Sequence, residues 1–401
     1  MMGIRQLGPP LLAVALLALS ACGRVAGTAA GSPRAGGKRA GPAAAVKPAR
    51  APHATRPAPV TPRAMYWASP AAGYLIAQST LYRTINGGAA WDPLFTSGSA
   101  HAPGKIDAIA GVGAAHVWIA TAASVLEVSS TGRVSHLAPL PAGGSVDQLA
   151  APSPSPPPGR VYALMAGSVY ALDITTEHWA DVSTAIGPVQ SMAWLSARVG
   201  YAAAGSRVWR TETGGQTWDE VFTAPVQGSH WAAHLAANSA DSVWLLVSGG
   251  VDSASQMGFV LWHGTAAGTK WTAVTDEAYL APTAYPSVHP QLASPIMDPG
   301  PLAAVGAHTV YLAGWQANRD SHWVVLTNAG GSWHVSSFLI APSAPQFFVS
   351  RAGGSFVSPA LSFAASSLGH LLGQSASGQG ALMKTADGGS VWRSATAQLP
   401  R

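Results

Sequence analysis

The feature that most constrains this chain is a short apolar segment that recurs along it. Each copy places an aromatic residue, or histidine in the last copy, before small or apolar residues: GYLIAQ, VWIAT, VYALM, GYAAA, VWLLV, VYLAG and GHLLG. The marker positions are Tyr74, Trp118, Tyr162, Tyr201, Trp244, Tyr311 and His370, at spacings of 44, 44, 39, 43, 67 and 59 residues. A unit of about 40 to 45 residues is the length of one four-stranded propeller blade. The repeat therefore predicts seven copies of one supersecondary unit.

Helical repeats share this period, but the composition of the copies favours strands. The copies are short, rich in Val, Tyr and Trp, and bounded by glycine. The chain has 44 Gly and 31 Pro among 401 residues, and only 10% of its residues are charged. These values favour many short elements joined by turns and argue against a solvated helical bundle.

A glycine-rich turn motif occurs four times, each time just before a tryptophan: TINGGAAW, TETGGQTW, LTNAGGSW and TADGGSVW. The tryptophans are Trp91, Trp218, Trp333 and Trp392, and the glycines three positions earlier are Gly88, Gly215, Gly330 and Gly389. Asn86, Asn328 and Asp387 stand five positions earlier, where the second copy has Thr213, and Thr84, Thr211 and Thr385 stand seven positions earlier. Asn and Gly tolerate the left-handed backbone of a tight turn. The motif predicts a hairpin loop rather than a catalytic site.

This motif resembles the Asp-box, or bacterial neuraminidase repeat, whose consensus is Ser/Thr-x-Asp-x-Gly-x-x-Trp. In that family the motif closes the hairpin between the third and fourth strands of a β-propeller blade, far from any active site. The resemblance implies an all-β fold, a seven-bladed β-propeller of four-stranded blades over residues 63 to 401. It also implies a structural role for the motif residues. A constant interval of 17 residues from strand aromatic to tryptophan in three units supports this register.

Sialidases are well-known members of the Asp-box family, but their catalytic set is not evident in this sequence. The chain has no Arg-Ile-Pro motif, and its acidic residues form no suggestive cluster. His230 and His234 have the spacing of helical metal ligands, yet their context indicates a strand, where such residues lie far apart. We therefore predict no catalytic residue, cofactor or metal site. A divergent sialidase-like glycoside hydrolase remains the alternative.

The N-terminus has the pattern of a bacterial lipoprotein. Arg5 precedes the apolar run LGPPLLAVALLALSA, which is too short for a membrane span and typical of a secretory signal. The run ends in Leu19-Ser20-Ala21-Cys22, which resembles a lipobox, and Cys22 is the only cysteine of the chain. The resemblance implies that residues 1 to 21 are a signal peptide and that Cys22 is lipidated. The alternative is a buried thiol in an uncleaved segment.

Residues 22 to 62 read as a disordered tether rich in Ala, Pro, Gly and basic residues, because they contain almost no large apolar side chain. Residues 1 to 63 hold nine of the 22 Lys and Arg residues and no Asp or Glu, which leaves 13 basic and 17 acidic residues for the remainder. The basic character thus belongs to the leader and tether and does not indicate nucleic-acid binding. A basic tether is suited to anionic lipid; a soluble spacer is the alternative.

Two consecutive connections between units are longer than the others. The chain takes 40 residues from Trp271 to Tyr311 and 37 from Trp333 to His370, against 22 to 27 elsewhere. The inserted segments carry aromatic residues, a histidine and an arginine, which are common anchors of binding surfaces. These predicted partner-binding residues are Tyr279, Tyr285, His289, Phe347, Phe348 and Arg351. Insertions are also thermodynamically cheap, so a length change without function is the alternative.

Together these features predict an exported propeller, lipid-anchored to the outer face of the cytoplasmic membrane. It is most similar to bacterial Asp-box propellers of the photosystem II stability or assembly factor type. That resemblance implies a non-enzymatic platform, with a monomeric propeller, which binds a protein or glycan of the cell envelope.

The lipobox yields a direct prediction: Cys22→Ser abolishes acylation, because only the sulfur of Cys22 can carry the thioether-linked lipid. Metabolic labelling with a fatty-acid analogue measures this. Equal labelling of the two chains would contradict the assignment.

Overall fold

The computed structural model describes residues 62–98, 104–111, 113–141, 144–152, 159–226, 231–251, 257–277, 298–306, 308–316, 322–329, 332–338, 360–374 and 380–395. Contacts divide the chain into residues 1–55 and 56–401. The predicted signal peptide, Cys22 and all of the tether except its last residue lie outside the described residues. No helix in the described part is long and apolar enough to cross a membrane.

The described residues form seven four-stranded antiparallel sheets, and each sheet uses four strands that are consecutive in sequence. The first sheet contains β1 (Pro62–Trp67), β2 (Gly73–Ala77), β3 (Thr80–Thr84) and β4 (Asp92–Thr96). The second contains β5 (Ile106–Gly111), β6 (His116–Thr121), β7 (Ser124–Ser129) and β8 (Val134–Pro139). The third contains β9 (Gln148–Ala150), β10 (Arg160–Met165), β11 (Ser168–Asp173) and β12 (His178–Asp181). The fourth contains β13 (Ser191–Trp194), β14 (Gly200–Ala204), β15 (Arg207–Thr211) and β16 (Asp219–Thr223).

The last three sheets follow the same order. The fifth contains β17 (Trp231–Ser239), β18 (Ser242–Val251), β19 (Met257–Thr265) and β20 (Lys270–Glu277). The sixth contains β21 (Asp298–Val305), β22 (Thr309–Gln316), β23 (His322–Ala329) and β24 (Ser332–Phe338). The seventh contains β25 (Ala360–Ala365), β26 (Leu368–Gln374), β27 (Gly380–Thr385) and β28 (Arg393–Ser394).

The sheets are the blades of a β-propeller. The first strand of each sheet contacts the first strand of the next, and β25 contacts β1. All seven marker positions of the sequence repeat lie on the second strand of a sheet, as the repeat predicts. These strands are the most buried: β2 is buried along its whole length. Apolar side chains therefore pack between neighbouring sheets rather than in one central core.

Three of the markers, Tyr162, Tyr311 and His370, join one sheet to the next by stacking. Tyr162 stacks on Trp194 with ring centroids 3.4 Å apart, and its hydroxyl donates to the Ala197 carbonyl at 2.8 Å. Tyr311 stacks on Phe363 in the same way at 3.7 Å, and its hydroxyl donates to the Ser366 carbonyl at 2.9 Å. Tyr162 and Tyr311 thus fill apolar sites and satisfy their hydroxyl groups in the next sheet.

A glycine makes room for each stacked ring of the next sheet. Gly73 and Gly200 begin the second strands of the first and fourth sheets, and Gly369 is the second residue of that strand in the seventh. They stand six residues after Trp67, Trp194 and Phe363. A Cβ atom added to Gly73 would lie 2.6 Å from the Trp67 ring, which is closer than atoms can pack. The ring therefore lies flat on the backbone of its own sheet.

Three of the four glycine-rich turns share one hydrogen-bond pattern. The hydroxyl oxygens of Thr84, Thr211 and Thr385 accept bonds from the amides of Gly88, Gly215 and Gly389 at 3.0, 2.9 and 2.9 Å. The side chains of Asn86, Thr213 and Asp387 accept bonds from the amides four residues later, each at 2.9 Å. All three turns join the third strand of a sheet to the fourth. These bonds replace ladder bonds that the turn lacks.

The copy at Asn328 forms a different turn. Its strands continue to a tight hairpin, with Asn328 opposite Trp333 and Ala329 opposite Ser332. The physical reason is visible in the sequence: Leu326 stands where the other three copies have threonine, so the hydroxyl that holds the wide turn is missing. The prediction of four equivalent turns is therefore corrected to three. Gly330 lies outside the described residues.

The tryptophan of each wide turn meets the stacked ring of its own sheet edge-on. The ring-centroid distances are 5.8 Å for Trp91 and Trp67, 5.9 Å for Trp218 and Trp194, and 6.2 Å for Trp392 and Phe363. Trp218 also donates from Nε1 to the Val182 carbonyl of the third sheet at 2.6 Å. The turn motif thus anchors the aromatic contact between neighbouring sheets.

The seam between the seventh and first sheets is closed by side chains and not by a shared strand of the described residues. His370 stacks on Trp67 at 3.7 Å, in the place that tyrosine takes elsewhere. The Trp67 amide donates to the Ser362 hydroxyl at 3.3 Å, and Lys384 donates to the Gly87 carbonyl at 3.2 Å. Burial, helped by the charge of Lys384, lowers the pKa of His370 to about 3. The imidazole at this seam is neutral at physiological pH.

We expect Trp218→Ala to lower the free energy of unfolding by about 2–4 kcal/mol, somewhat less than for a fully buried tryptophan because the ring is only partly buried. Trp218→Phe keeps the edge contact and loses the indole hydrogen bond, so we expect a loss of about 1 kcal/mol. Denaturant unfolding measures both. Equal losses would contradict the assigned contribution of the ring.

We expect acid to weaken the fold through His370. Its pKa is about 3 in the folded chain and near 6.5 when unfolded, so the unfolded state takes up the proton first as the pH falls. The free energy of unfolding should drop between pH 6.5 and 3, by at most about 4 kcal/mol. Unfolding of the wild type and His370→Phe across this range isolates the effect. An identical pH dependence in both would contradict it.

Candidate binding surface

The direction of the strands defines two faces. Because consecutive strands are antiparallel, every first strand begins on the side where every fourth strand ends, and we name this side the entry face. The opposite side carries the wide turns between third and fourth strands, and we name it the turn face. The two longest connections, from Glu277 to Asp298 and from Phe338 to Ala360, leave and return on the entry face.

Charged side chains gather on the entry face where β1, β5 and β9 begin. We name Arg63, Lys105, Asp107 and Asp147 the channel-end cluster, after the central channel around which the blades of a propeller are arranged. Lys105 Nζ lies 3.2 Å from Asp107 Oδ1. Burial raises the pKa of Asp107, and the charge of Arg63 opposes this rise. Burial also raises the pKa of Asp147, a bond from the Ala166 amide lowers it, and the Asp107 charge raises it further.

Two carboxyl groups on neighbouring strands are an arrangement that hydrolases use, but these two are engaged otherwise. Asp107 pairs with Lys105, and Asp147 accepts the amide hydrogen of Ala166. The charge of Asp107 opposes ionisation of Asp147, while Lys105 and Arg63 both interact with Asp107. The cluster presents both signs of charge to a bound molecule and can form ion pairs with it.

Two glutamines near this end join neighbouring first strands. The Gln148 side chain donates to the Met192 carbonyl at 2.7 Å and accepts from the Met192 amide at 3.0 Å. Gln190 does the same for the next sheet, with bonds to the Trp231 carbonyl and the Ala233 amide at 3.0 and 3.1 Å. Sequence reasoning missed both, because an isolated glutamine carries no local motif.

His234 takes the equivalent position in the fifth sheet: it pairs with Leu246, two residues after the marker Trp244, as Gln148 pairs with Leu164 after Tyr162. The His234 side chain is exposed at the surface of its strand. The protein around it lowers the pKa of the imidazole by desolvation. The segment around it is a strand, as the sequence predicts, and His230 lies outside the described residues. In the described part, no group of three or more His, Cys, Asp or Glu side chains is placed to hold a metal ion.

The predicted partner-binding residues Tyr279, Tyr285, His289, Phe347, Phe348 and Arg351 all lie outside the described residues. The fifth sheet is longer between its marker and its tryptophan than the first, third and fourth, with 27 residues from Trp244 to Trp271 against 17. The loop between second and third strands is the simplest place for this extra length, but β18 and β19 are ten and nine residues long. Much of the insertion is therefore strand, because paired backbone satisfies its polar groups more fully than a loop does.

We expect Asp107→Asn to lower the pKa of Asp147, because the substitution removes a nearby negative charge that opposes ionisation. Titration of the carboxyl carbon signals by NMR measures this value. Asp387→Asn, on the turn face, is the matched control and should leave the Asp147 titration unchanged. An unaltered pKa of Asp147 in Asp107→Asn would show that the two groups do not interact.

Comparison with known proteins supports the fold. No protein-family profile and no curated protein matches the sequence. Among solved structures, "YCF48 bound to D1 peptide" is 18% identical over 80% of this chain and 91% of that chain, with a TM-score of 0.50. A chain of the mitotic checkpoint complex is 9% identical over 87% and 98%, with a TM-score of 0.53. The WD40 repeats of RRP9 are 10% identical over 79% and 88%, with a TM-score of 0.50. At such identities the likeness shows the fold, which is a β-propeller with four-stranded antiparallel blades.

Proposed function

We propose that this chain is an exported, lipid-anchored propeller of seven blades that acts as a non-enzymatic platform for a cell-envelope partner. The partner is a protein or glycan, and the entry face binds it. The three wide turns act as Asp-boxes that stabilise the blades and take no part in binding.

One observation carries this proposal: the channel-end cluster and the ends of the two longest connections lie on the same face. Ion pairs of the cluster supply orientation, and the connections supply contact area. The connection between β20 and β21 carries Tyr279, Tyr285 and His289 in its sequence. Aromatic side chains beside charged groups form the usual centre of a protein-binding surface.

A protein partner is the better-supported of the two ligand classes. YCF48 is solved with a D1 peptide, and the mitotic checkpoint complex is an assembly of proteins. Those partners belong to YCF48 and to the checkpoint protein. Because this chain shares their propeller fold, a protein partner is a reasonable proposal here too. The anchor rests on the lipobox at Cys22 and on the tether, whose basic charge suits an anionic membrane.

A glycoside hydrolase is the second candidate, and Asp107 and Asp147 are the observation that favours it. Burial raises the pKa of both carboxyl groups, and a raised pKa is the property of a general acid. Hydrolysis of a glycan that Asp147→Asn abolishes would establish this alternative. Glycan binding without turnover would support the platform.

We expect capture of the envelope partner to be lost when residues 278–297 are replaced by a short Gly-Ser link, because this removes contact area from the entry face. The replacement stops at residue 297 because β21 begins at Asp298. Quantitative affinity capture from envelope extract measures the loss, and the unfolding temperature should stay nearly constant.

The matched control replaces residues 153–158, which connect β9 to β10 on the turn face, with a Gly-Ser link of equal length. This control should capture the same protein as the wild type. Undiminished capture after replacement of residues 278–297 would contradict binding through this connection.

A further inference from the structure

A cleft of about 350 Å³ lies on the turn face between the sixth and seventh sheets. Most of the residues that line it carry a hydroxyl or carboxyl group, and they include Thr309, Tyr311, Thr327, Ser366, Ser367 and Asp387. The cleft is on the opposite side from the proposed partner surface. The equivalent junctions elsewhere in the ring show how this cleft arises.

The junction between the third and fourth sheets matches this one position by position. Tyr162 stacks on Trp194 and donates to the Ala197 carbonyl, as Tyr311 stacks on Phe363 and donates to the Ser366 carbonyl. The wide turns that follow are also equivalent, with Thr211 matching Thr385. Differences between the two junctions therefore come from side chains and not from backbone geometry.

We number each junction by the first of its two sheets, so that the cleft lies at the sixth junction. At the third junction, between the third and fourth sheets, two arginines occupy the corresponding space. Arg160 Nη1 donates to the Gly214 carbonyl at 3.4 Å, and Arg198 Nε donates to the Glu212 carbonyl at 3.2 Å. Both carbonyls belong to the connection between the third and fourth strands. The fold itself thus shows which group fits the site: a planar cation that donates hydrogen bonds to backbone carbonyls.

Two further junctions follow the same rule with a cation from the third strand. Arg83 Nη1 donates to the Ser130 carbonyl of the second sheet at 2.9 Å. Lys384 Nζ donates to the Gly87 carbonyl of the first sheet at 3.2 Å. In the strand register, Lys384 lies opposite the marker His370. The residue opposite the marker Tyr311 in the sixth sheet is Thr327.

At the sixth junction every one of these cations is replaced. Thr309 stands at the position of Arg160, Thr327 at that of Lys384, and Ser367 at that of Arg198. Asp387 stands where the third junction has Thr213. Relative to the third junction, two positive charges are lost, and the negative charge is carried by Asp387 instead of Glu212, whose position is taken by Ala386. Hydrogen bonds from the Val391 amide and the Thr385 hydroxyl lower the pKa of Asp387, so its charge is present at neutral pH.

We propose that this cleft binds an organic cation, a guanidinium or primary ammonium group supplied in trans. The ligand takes the place that Arg160 and Lys384 take at the other junctions. It pairs with the carboxylate of Asp387 and bonds to the hydroxyl groups around it. The group can come from an arginine or lysine side chain of a polypeptide or from a free small amine. This proposal does not depend on the function of the entry face.

The test is binding of Nα-acetyl-arginine amide to the full-length chain, measured by saturation-transfer NMR. The matched probe is Nα-acetyl-citrulline amide, which has the same shape and no charge. We expect a dissociation constant on the order of 1 mM for the charged probe, since an exposed ion pair is weak. We expect at least fivefold weaker binding of the neutral probe. Equal binding of the two probes would overturn the proposal.

Two variants locate the binding. Thr309→Arg restores the internal cation of the third junction and should reduce binding at least fivefold, and Asp387→Asn should weaken it without filling the cleft. Thr80→Arg, on the entry face, is the matched control and should bind like the wild type. Unchanged binding in both Thr309→Arg and Asp387→Asn would place the cation elsewhere and overturn the proposal.

A third probe distinguishes the source of the cation. Acetyl-Gly-Gly-Arg-Gly-Gly-amide presents the same guanidinium within a polypeptide. Tighter binding of this peptide than of the arginine derivative would indicate a polypeptide ligand, and equal binding would indicate a free amine. Both results support the site, and failure of the peptide and of the arginine derivative to bind would exclude it.

Discussion

Three junctions of the ring depend on one repeated contact, in which an aromatic side chain from the second strand of a sheet stacks on an aromatic ring of the next. Tyr162 on Trp194, Tyr311 on Phe363 and His370 on Trp67 are the three full examples. Each contact removes two large rings from water and fixes the angle between sheets, because the lower ring lies flat on a glycine of its own strand. Among the described residues neighbouring sheets share no backbone ladder, so side-chain contacts such as these hold the sheets together.

The polar groups of the described residues divide between holding sheets together and facing solvent. On the turn face, arginine and lysine side chains donate to carbonyls of the next sheet at three junctions. Near the entry face, Gln148 and Gln190 join first strands. Where such a link is replaced by small hydroxyl residues, a cleft remains. The channel-end cluster places charges of both signs near the start of the first strands. Polar side chains therefore account both for links between sheets and for the charged groups on one face.

Variation among the junctions also bears on stability. The seam between the last and first sheets joins residues far apart in sequence, so its closure costs more chain entropy than any other junction. Its stacked ring is His370, which lacks the hydroxyl that tyrosine donates to the next sheet. The seam is the junction most sensitive to acid, since a proton on this buried ring opposes both burial and the charge of Lys384.

Local sequence alone determined the sheet repeat, the second-strand position of every marker and three wide turns, because strand periodicity and turn chemistry act over a few residues. The fourth turn was misassigned at Leu326, where one missing hydroxyl changes the hairpin. Only the tertiary structure decided the sites. The charge of Asp107 acts on Asp147 of the next sheet, and Thr309 and Asp387 line one cleft from two sheets. No sequence motif links either pair. Contacts between sheets join residues about one repeat or more apart, and no local pattern encodes which side chains the ring brings together.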